Sequence, residues 1–598
     1  MLRLDKGSMM HSAHADQAKP PDATRRAAAA AAVYYGFQQS QELDRREQQH
    51  GRGRRQRTRF FVLLSLGAAL LFGGTFVNAD SWRAFLAPAA FREHLPATTT
   101  ITTGAGNTTH EWSWSSIKPS RTLRWHACYD GAYECARLDV PLDWQDPRDD
   151  ARVVLAISKL RATAAGTDYR GAVFFNPGGP GGSGIWALQD RGAQLQAIIG
   201  RNHDVISWDP RGVGASTPRV DCWSTDALPR KEGEGGGDGG GRSGISSESR
   251  RRLWALQDPG VIDAHPGMLS DVYARAAAFS RMCEERVGAA APGLLRHVST
   301  ASHARDLLEI LDQNGGSSGD DPKLRYWGFS YGTVLGGVFA SMYPERVERL
   351  VSDGNVDYRE WNLGTHINFL RDTDRVMEAF YAYCHAAGPE TCAFHAETPD
   401  AIRRRHAALL EQIRKNPVII PSSSIHGPDM PQLVTWSDIK RLTSTTLYQP
   451  LYMFKNFAEV LRGLEARDGT PFYRLVRRAG DGSADAPICG GAEEADPPPA
   501  ELTEGTDDAF PAIMCADRGE SRGEETVEEF EGYTKQLMEI SAAAGDVLAL
   551  FRLACVGRTV KPKWRYDAYD AFSTVGLHSR VHTRVLPERH AAATGNDV

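Results

Sequence analysis

The feature that most constrains this chain is the pattern G-x-S-x-G at residues 328–332, Gly-Phe-Ser-Tyr-Gly. Residues 324–327 before it are largely apolar and aromatic, which predicts a short buried strand, and residues 333–343 after it are mostly apolar, which predicts a helix. A strand, a tight glycine turn and a helix in this order expose the central serine as a nucleophile. A further strand is predicted at residues 349–353, so Ser330 lies within a β-α-β unit.

A second match to G-x-S-x-G occurs at residues 315–319, but its neighbours argue against a nucleophile there. Asp, Asn, Gln and Pro surround it, so no strand is predicted before it and no helix after it. We therefore predict that Ser317 is a loop residue and that Ser330 is the nucleophile. The plainer alternative for Ser330, a small residue in a tight turn, is disfavoured because the flanking strand and helix are both predicted.

The charge distribution gives no reason to expect nucleic acid as a partner. The net charge of the 598 residues is −6, and basic residues are concentrated in residues 1–59. The rest of the chain is therefore acidic and lacks the basic surface that nucleic-acid-binding proteins carry. A hydrophobic content of 41% with 24% charged residues is typical of a globular protein with a sizeable core.

Residues 60–77 are uncharged and predict a single transmembrane helix, so a membrane is an expected partner. As a helix this segment would be roughly 27 Å long, close to the thickness of a bilayer core. Arginines at residues 52–59 crowd its N-terminal flank, so the positive-inside rule places the tail in the cytosol and the body in the lumen or outside the cell. The alternatives are a cleaved signal peptide, for which the preceding region is too long, and a buried core helix, which the arginines disfavour.

Nine cysteines in a translocated body predict disulfides rather than a metal site. Cys128 and Cys135 are close enough in sequence to pair, and so are Cys384 and Cys392. The odd number leaves at least one thiol free or in an intermolecular bond. The sequon at Asn107 lies on the predicted outer side, where glycosylation suits the same topology.

The glycine-rich residues 176–184, Asn-Pro-Gly-Gly-Pro-Gly-Gly-Ser-Gly, follow a predicted strand and leave backbone N–H groups free to bind an anion. Part of this sequence also fits G-x-G-x-x-G, so a dinucleotide site has to be weighed, with Asp204 or Asp209 as its acidic partner. Two predicted strands already precede this unit, which disfavours the dinucleotide interpretation.

An oxyanion hole is the favoured role for the glycine-rich loop, because a nucleophilic Ser330 needs one. Such a hole takes one N–H donor from a glycine-rich loop and the other from the residue after the nucleophile. The predicted donors are therefore the N–H groups of Gly178 or Gly179 and of Tyr331. No cofactor and no metal is expected.

Several motifs in order resemble the proline-iminopeptidase-like branch of the α/β-hydrolases, and most closely the tripeptidyl-aminopeptidase-like proteins. They lie at residues 135–144, 176–184, 208–214, 326–333, 351–357, 512–517 and 555–565. The resemblance implies an α/β-hydrolase fold with an inserted lid and the release of short peptides from substrates with free N-termini. It also implies that Ser330 is the nucleophile, with Tyr331 and the glycines at 178 and 179 as oxyanion donors.

The expected organisation combines this fold with the predicted anchor. The segments are a disordered basic cytosolic tail at 1–59, the anchor at 60–77, a stalk at 78–120, an α/β-hydrolase core at 121–357, a mostly helical lid at 358–550 and an incomplete C-terminal part of the core at 551–598.

The resemblance stops where the family has its catalytic acid and histidine. Beyond Arg565 the family has a hydrophobic strand, an acidic turn and often a Gly-His pair, and none of these is recognisable here. Asp353 ends the strand after Ser330 and is interpreted as structural. The remaining acidic residues and histidines match no motif: Asp567, Asp570, His578, His582 and His590.

Two functions are therefore open. The first is a membrane-anchored serine hydrolase that acts through an acyl-enzyme on Ser330, with its triad acid and base unassigned. The second is a catalytically inactive hydrolase fold that serves as a binding module, because a serine hydroxyl without a base is a poor nucleophile at neutral pH. Without that base, the chain is expected to hydrolyse peptidyl amides at a rate near that of a Ser330→Ala variant.

Overall fold

The computed structural model describes residues 112–163, 168–224, 247–315, 321–421, 431–479, 508–519 and 525–566. Contacts divide the chain into two compact units. Of the described residues, the larger contains those up to Met377 and those from His406 onward, and the smaller contains Glu378–Arg405. The described part of the smaller unit consists of the end of one helix, a disulfide and the start of another helix.

A seven-stranded sheet forms the centre of the larger unit. Its strands are β1 His126–Cys128, β2 Tyr133–Pro141, β3 Arg152–Leu160, β4 Ala172–Asn176, β5 Asp204–Asp209, β6 Leu324–Phe329 and β7 Val347–Asp353. Their order across the sheet is β1-β2-β3-β5-β4-β6-β7. The pairs from β1 to β3 and the β3–β5 pair are antiparallel, whereas β5, β4, β6 and β7 run parallel. The loops that follow these four parallel strands therefore leave the same edge of the sheet.

Helices occupy most of the remaining described residues. They are α1 Gly184–Ile199, α2 Ser247–Leu256, α3 Met268–Ala290, α4 Thr300–Gly315, α5 Tyr331–Met342, α6 Tyr358–Leu363, α7 Thr373–Ala387, α8 Pro399–Lys415, α9 Trp436–Tyr448, α10 Pro450–Glu465, α11 Thr470–Ala479, α12 Ala509–Asp517, α13 Val527–Ile540 and α14 Gly545–Leu553.

The central strands β4 and β5 have buried residues on both faces of the sheet. Phe174 on β4 packs with Ile206 on β5 in the main core, whereas the next residue, Phe175, packs with Val205 and with Leu188 of α1 in a second cluster. β4 is a nearly continuous apolar run, as expected for a parallel strand that is covered on both faces. This arrangement confirms the α/β architecture predicted from the motifs.

A buried ion pair connects the antiparallel and parallel parts of the larger unit. Arg211, in the loop after β5, donates two hydrogen bonds to Asp306 on α4, at 2.7 and 2.6 Å, and both side chains are fully buried. Trp144 donates a further bond of 2.8 Å to the same carboxylate, and Arg211 also donates to the carbonyls of Pro141 and Leu142. The loop after β5 is thereby fixed to the segment that follows β2.

The region from residue 358 to residue 550 was predicted to be a mostly helical lid, and its boundaries stay a prediction. The described residues there form α6 to α14. They also contain a two-stranded antiparallel sheet, β8 Val418–Ile420 with β9 Gln432–Val434. Each of these strands has only three residues, which is too short for an alternating pattern to be recognised in the sequence.

Four disulfides are present in the described residues, and two of them were predicted. Cys128–Cys135 and Cys384–Cys392 confirm the pairs chosen for their short separation. The other two bonds, Cys222–Cys283 and Cys515–Cys555, join residues 61 and 40 positions apart, for which sequence spacing gives no signal. The ninth cysteine, Cys489, is outside the described ranges.

The predicted membrane segment cannot be compared with the fold, because residues 60–77 and the sequon at Asn107 are outside the described ranges. Among the helices of the described ranges, none combines the length and the apolar character that crossing a bilayer requires.

Candidate active site

The predicted strand-turn-helix is present around Ser330. β6 ends at Phe329, Ser330 has φ of +51° and ψ of −123°, and α5 begins at Tyr331. A positive φ is unusual for a residue with a side chain, and such strain is typical of the turn that projects a nucleophilic serine. The backbone N–H of Ser330 donates to the carbonyl oxygen of Asp353, at the end of β7, over 2.9 Å. The turn is therefore held to the neighbouring strand.

Both glycines of the G-x-S-x-G pattern lie where a side chain would not fit. A Cβ on Gly328 would lie 2.3 Å from the carbonyl oxygen of Gly332, and a Cβ on Gly332 would lie 2.7 Å from the carbonyl oxygen of Asn176. Real Cβ atoms essentially never approach other atoms so closely. These contacts also place the end of β4 directly beside the first turn of α5.

The glycine-rich loop after β4 covers the turn at Ser330. Gly178 has φ of +93°, and a Cβ there would lie 2.3 Å from the carbonyl oxygen of Phe329, 2.9 Å from Ser330 Cβ and 3.0 Å from the backbone nitrogen of Tyr331. The fold thus brings together the glycine-rich loop and Ser330, which the sequence analysis assigned to one site although their motifs are more than a hundred residues apart.

The two glycines proposed as oxyanion donors differ in their hydrogen bonds. The N–H of Gly178 donates to Oδ1 of Asn176 over 3.0 Å, so this group already has an acceptor. The N–H of Gly179 has no acceptor among the described residues. Tyr331 is the first residue of α5, where an N–H has no partner within the helix. Gly179 and Tyr331 are accordingly the predicted donors whose N–H groups have no acceptor among the described residues.

Asp209 does not suit the dinucleotide interpretation of the same loop. α1 begins at Gly184 and β5 ends at Asp209, so the local order suits a dinucleotide fold. However, Asp209 is fully buried and accepts hydrogen bonds from the Ser183 hydroxyl and from the N–H groups of Ile185 and Ala215. Burial raises the pKa of Asp209 to about 6. Its carboxyl group fixes the start of α1 and is not presented to a ribose.

A base for Ser330 is not found in the described part of the chain. No described residue forms a hydrogen bond with Ser330 Oγ. The Asp353 side chain is exposed, and its carbonyl is the group that contacts Ser330. His303 is fully buried and bonds the hydroxyl of Tyr331 over 3.1 Å, not Ser330. Desolvation lowers the pKa of His303 to about 3, so it is neutral.

Other candidates from the sequence are outside the described residues, namely Ser317 and the acidic and histidine residues beyond 566: Asp567, Asp570, His578, His582 and His590. Within the described ranges, no group of three or more His, Cys, Asp or Glu side chains is arranged to hold a metal ion.

Sequence reasoning missed two polar residues that lie behind the turn. Thr300, the first residue of α4, contacts the hydroxyl of Tyr331, and Asp517, the last residue of α12, contacts Thr300. The only signal for Asp517 was its place at the end of the motif at residues 512–517, to which no role was assigned. The 217 residues that separate it from Thr300 explain why no local pattern could pair them.

Residues 171–450 match the family model described as the alpha/beta hydrolase fold. This part of the chain is similar to the α/β-hydrolases. This match covers β4, the glycine-rich loop, β6 with Ser330, and the helices as far as the start of α10. The predicted resemblance to the α/β-hydrolases is therefore confirmed.

Curated relatives include serine peptidases. The chain is 29% identical over 345 residues to the serine protease Hip1 of Mycobacterium tuberculosis, covering 57% of this chain and 56% of that protein. It is 30% identical over 229 residues to the tripeptidyl aminopeptidase of Streptomyces lividans, covering 38% of this chain and 35% of that protein. It is also 24% identical over 344 residues to the putative hydrolase YuaR of Escherichia coli, covering 53% of this chain and 57% of that protein. The chain spans about half or less of the length of these relatives.

Proposed function

We propose that this chain is a serine hydrolase of the aminopeptidase type that removes short peptides from substrates with free N-termini. The observation that carries the proposal is the close contact between Gly178 and the Ser330–Tyr331 turn, which supports an oxyanion hole beside a nucleophile. Relatives named as a tripeptidyl aminopeptidase and a serine protease support the substrate class.

In this mechanism, Ser330 Oγ attacks the carbonyl carbon of the scissile peptide bond while its proton passes to a general base. The negative charge that develops on the carbonyl oxygen is stabilised by the N–H groups of Gly179 and Tyr331, a contribution that typically amounts to about 3 kcal/mol per donor. Collapse of the tetrahedral intermediate breaks the C–N bond while the base returns its proton to the departing amine. The acyl-enzyme that remains is then hydrolysed by water, which releases the peptide acid and restores the Ser330 hydroxyl. His578 and His582 are the histidines to test as the base.

The test is hydrolysis of a tripeptidyl chromogenic amide with a free N-terminus and of the same amide with an acetylated N-terminus. The proposal predicts turnover of the free form that is lost in Ser330→Ala and retained in Ser341→Ala. Ser341 is a matched control, because it lies on the same helix and donates its hydroxyl to the carbonyl of Gly337. Turnover that persists in Ser330→Ala, or that is equal for the acetylated amide, contradicts the proposal.

One observation favours the second candidate, a binding module without catalysis, namely that Ser330 Oγ has no hydrogen-bond partner among the described residues. A peptide aldehyde with a free N-terminus discriminates between the two. Binding of the aldehyde together with hydrolysis at the Ser330→Ala background identifies the binding module. Hydrolysis that exceeds this background, and that falls in His578→Ala or His582→Ala, identifies the hydrolase.

We further propose that the protein is a single-pass membrane protein, anchored through residues 60–77, with its N-terminus in the cytosol and its body in the lumen or outside the cell. The four disulfides of the described body support an oxidising compartment. Protease treatment of sealed vesicles is expected to trim the N-terminal tail and to spare the body. Digestion of the body with protection of the tail would contradict this topology.

A further inference from the structure

A buried chain of hydrogen bonds connects the far end of α12 to the residue after Ser330. Asp517 accepts from the backbone N–H of Thr300 over 2.7 Å and from its hydroxyl over 2.5 Å. The indole N–H of Trp361 donates to the same carboxyl group over 3.0 Å. Oγ1 of Thr300 lies 2.5 Å from the hydroxyl oxygen of Tyr331. All four side chains are buried.

The donor count fixes the direction of this chain. The single hydroxyl proton of Thr300 is given to Asp517, so Thr300 accepts from the hydroxyl of Tyr331. Nδ1 of His303 lies 3.1 Å from the same hydroxyl oxygen of Tyr331. The direction runs from Tyr331 through Thr300 and ends on a carboxylate. Asp517 is the only member that has to be an anion.

Asp517 is suited to that role, because three donors point at its carboxyl group. Burial raises the pKa of Asp517 to about 6, whereas the hydrogen bonds from Thr300 and Trp361 and the charge of Arg565 act in the opposite direction. At neutral pH the group is a carboxylate. Burial also raises the pKa of Tyr331 far above neutrality, so its hydroxyl remains a donor.

The same helix reaches the other half of the oxyanion hole. A Cβ on Gly181, in the glycine-rich loop, would lie 2.9 Å from the backbone nitrogen of Phe510 and 3.2 Å from the carbonyl carbon of Ala509, at the start of α12. The start of α12 is itself held, because the Asp508 carboxylate accepts from the N–H of Cys222 over 2.9 Å. α12 thus contacts the loop at one end and, through Asp517, the first turn of α5 at the other.

We propose, on the basis of the serine hydrolase function given above, that Asp517 is a positioning residue for the oxyanion hole. Acting through Thr300, it holds the Tyr331 side chain, and Tyr331 carries the N–H donor that follows the nucleophile. Asp517 does not contact substrate or Ser330. Its role is to keep the Tyr331 N–H at a fixed distance from the glycine-rich loop, which α12 contacts at Gly181 from its other end.

Asp517→Asn is the most informative change, because it keeps the shape of the side chain and replaces one acceptor oxygen by a donor amide. That amide meets the donors of Thr300 and Trp361, so the direction of the hydrogen-bond chain is lost. Asp546→Asn is the matched control: Asp546 is equally buried on α14, where it faces Nζ of Lys440 at 3.1 Å and not the oxyanion hole. Thr300→Val breaks the chain at its middle, and Thr300→Ser preserves it.

Two measurements are made on each full-length variant. The first is kcat and KM on the tripeptidyl amide, with active sites counted by covalent titration. Displacing an oxyanion donor weakens the stabilisation of the transition state and not the binding of substrate. In Asp517→Asn and Thr300→Val, kcat per active site is therefore expected to fall about tenfold to a hundredfold with KM unchanged. Thr300→Ser and Asp546→Asn are expected to retain the wild-type kcat.

The second measurement is hydrogen exchange of the backbone amides in the first turn of α5, which requires no activity. Exchange is expected to be at least tenfold faster in Asp517→Asn and Thr300→Val than in Asp546→Asn. Equal exchange in Asp517→Asn and Asp546→Asn overturns the positioning role, whatever the activity. A different outcome is that exchange differs between the variants as expected, whereas Ser330→Ala does not reduce turnover. That result overturns the hydrolase function and leaves the structural role of Asp517 intact.

Discussion

Replacing Gly178 by alanine is the sharpest test of the contact between the glycine-rich loop and the turn at Ser330. The new Cβ would lie 2.3 Å from the carbonyl oxygen of Phe329, whereas ordinary contacts begin at 3.4 Å. The loop and the turn must therefore move apart by about 1 Å, because the backbone fixes the positions of both the Cβ and the carbonyl oxygen and neither can rotate away. A displacement of about 1 Å at a reacting centre costs about a hundredfold in rate, or roughly 2.7 kcal/mol of transition-state stabilisation.

Gly267→Ala separates this steric effect from the strain of a positive φ. Gly267 has φ of +87°, close to the +93° of Gly178, but nothing lies within 4 Å of its Cβ position. Alanine at either position pays for a left-handed backbone with about 1–2 kcal/mol of folding stability. Only Gly178→Ala is expected to lose about a hundredfold in hydrolysis of the tripeptidyl amide.

The assay combines steady-state hydrolysis with urea unfolding of both variants, and the rate of fluorophosphonate labelling serves where turnover is too slow to measure. Equal activity in Gly178→Ala and Gly267→Ala, with equal losses of unfolding free energy, would refute the close contact between the loop and the turn.

Two further predictions concern buried ionisable groups. Asp306→Asn leaves Arg211 buried without its counter-ion and is expected to lower the free energy of unfolding by about 3–5 kcal/mol, whereas Asp150→Asn, at an exposed pair, leaves it unchanged within error in urea titrations. Desolvation lowers the pKa of His366 to about 4, below its unfolded value of about 6.5, so stability is lost as pH falls from 6.5 to 4. His366→Phe is expected to be about 2 kcal/mol more stable relative to wild type at pH 5 than at pH 7, and an equal pH dependence in both proteins would contradict this.

The local part of the site was predictable because its physical causes are local. The run of apolar residues before Ser330, the glycines around it and the apolar helix after it are contiguous, and they form β6, the turn and α5 as predicted. Residues 178 and 179 were predicted to lie beside Ser330 because a nucleophilic serine needs an oxyanion hole, for which a glycine-rich loop supplies a donor. The catalytic roles of these residues stay predictions.

The parts that were missed depend on contacts between distant segments. The sequence named Gly178 and Gly179 equally as donors, because nothing in it shows that Asn176 occupies the N–H of Gly178. Asp517 and Thr300 meet across 217 positions, and polar residues in apolar segments give no indication of their partners. Long-range polar pairs of this kind are set by how the helices pack, which local periodicity does not encode.

The most direct test of the central claim is the structure of the protein after prolonged reaction with excess fluorophosphonate. Labelling is expected to be slow, because Ser330 Oγ has no hydrogen-bond partner among the described residues, and to occur on Ser330 alone. The phosphonyl oxygen is expected within about 3.1 Å of the backbone nitrogens of Gly179 and Tyr331. An adduct on another serine, or one on Ser330 whose oxygen points away from these two groups, would contradict the assignment.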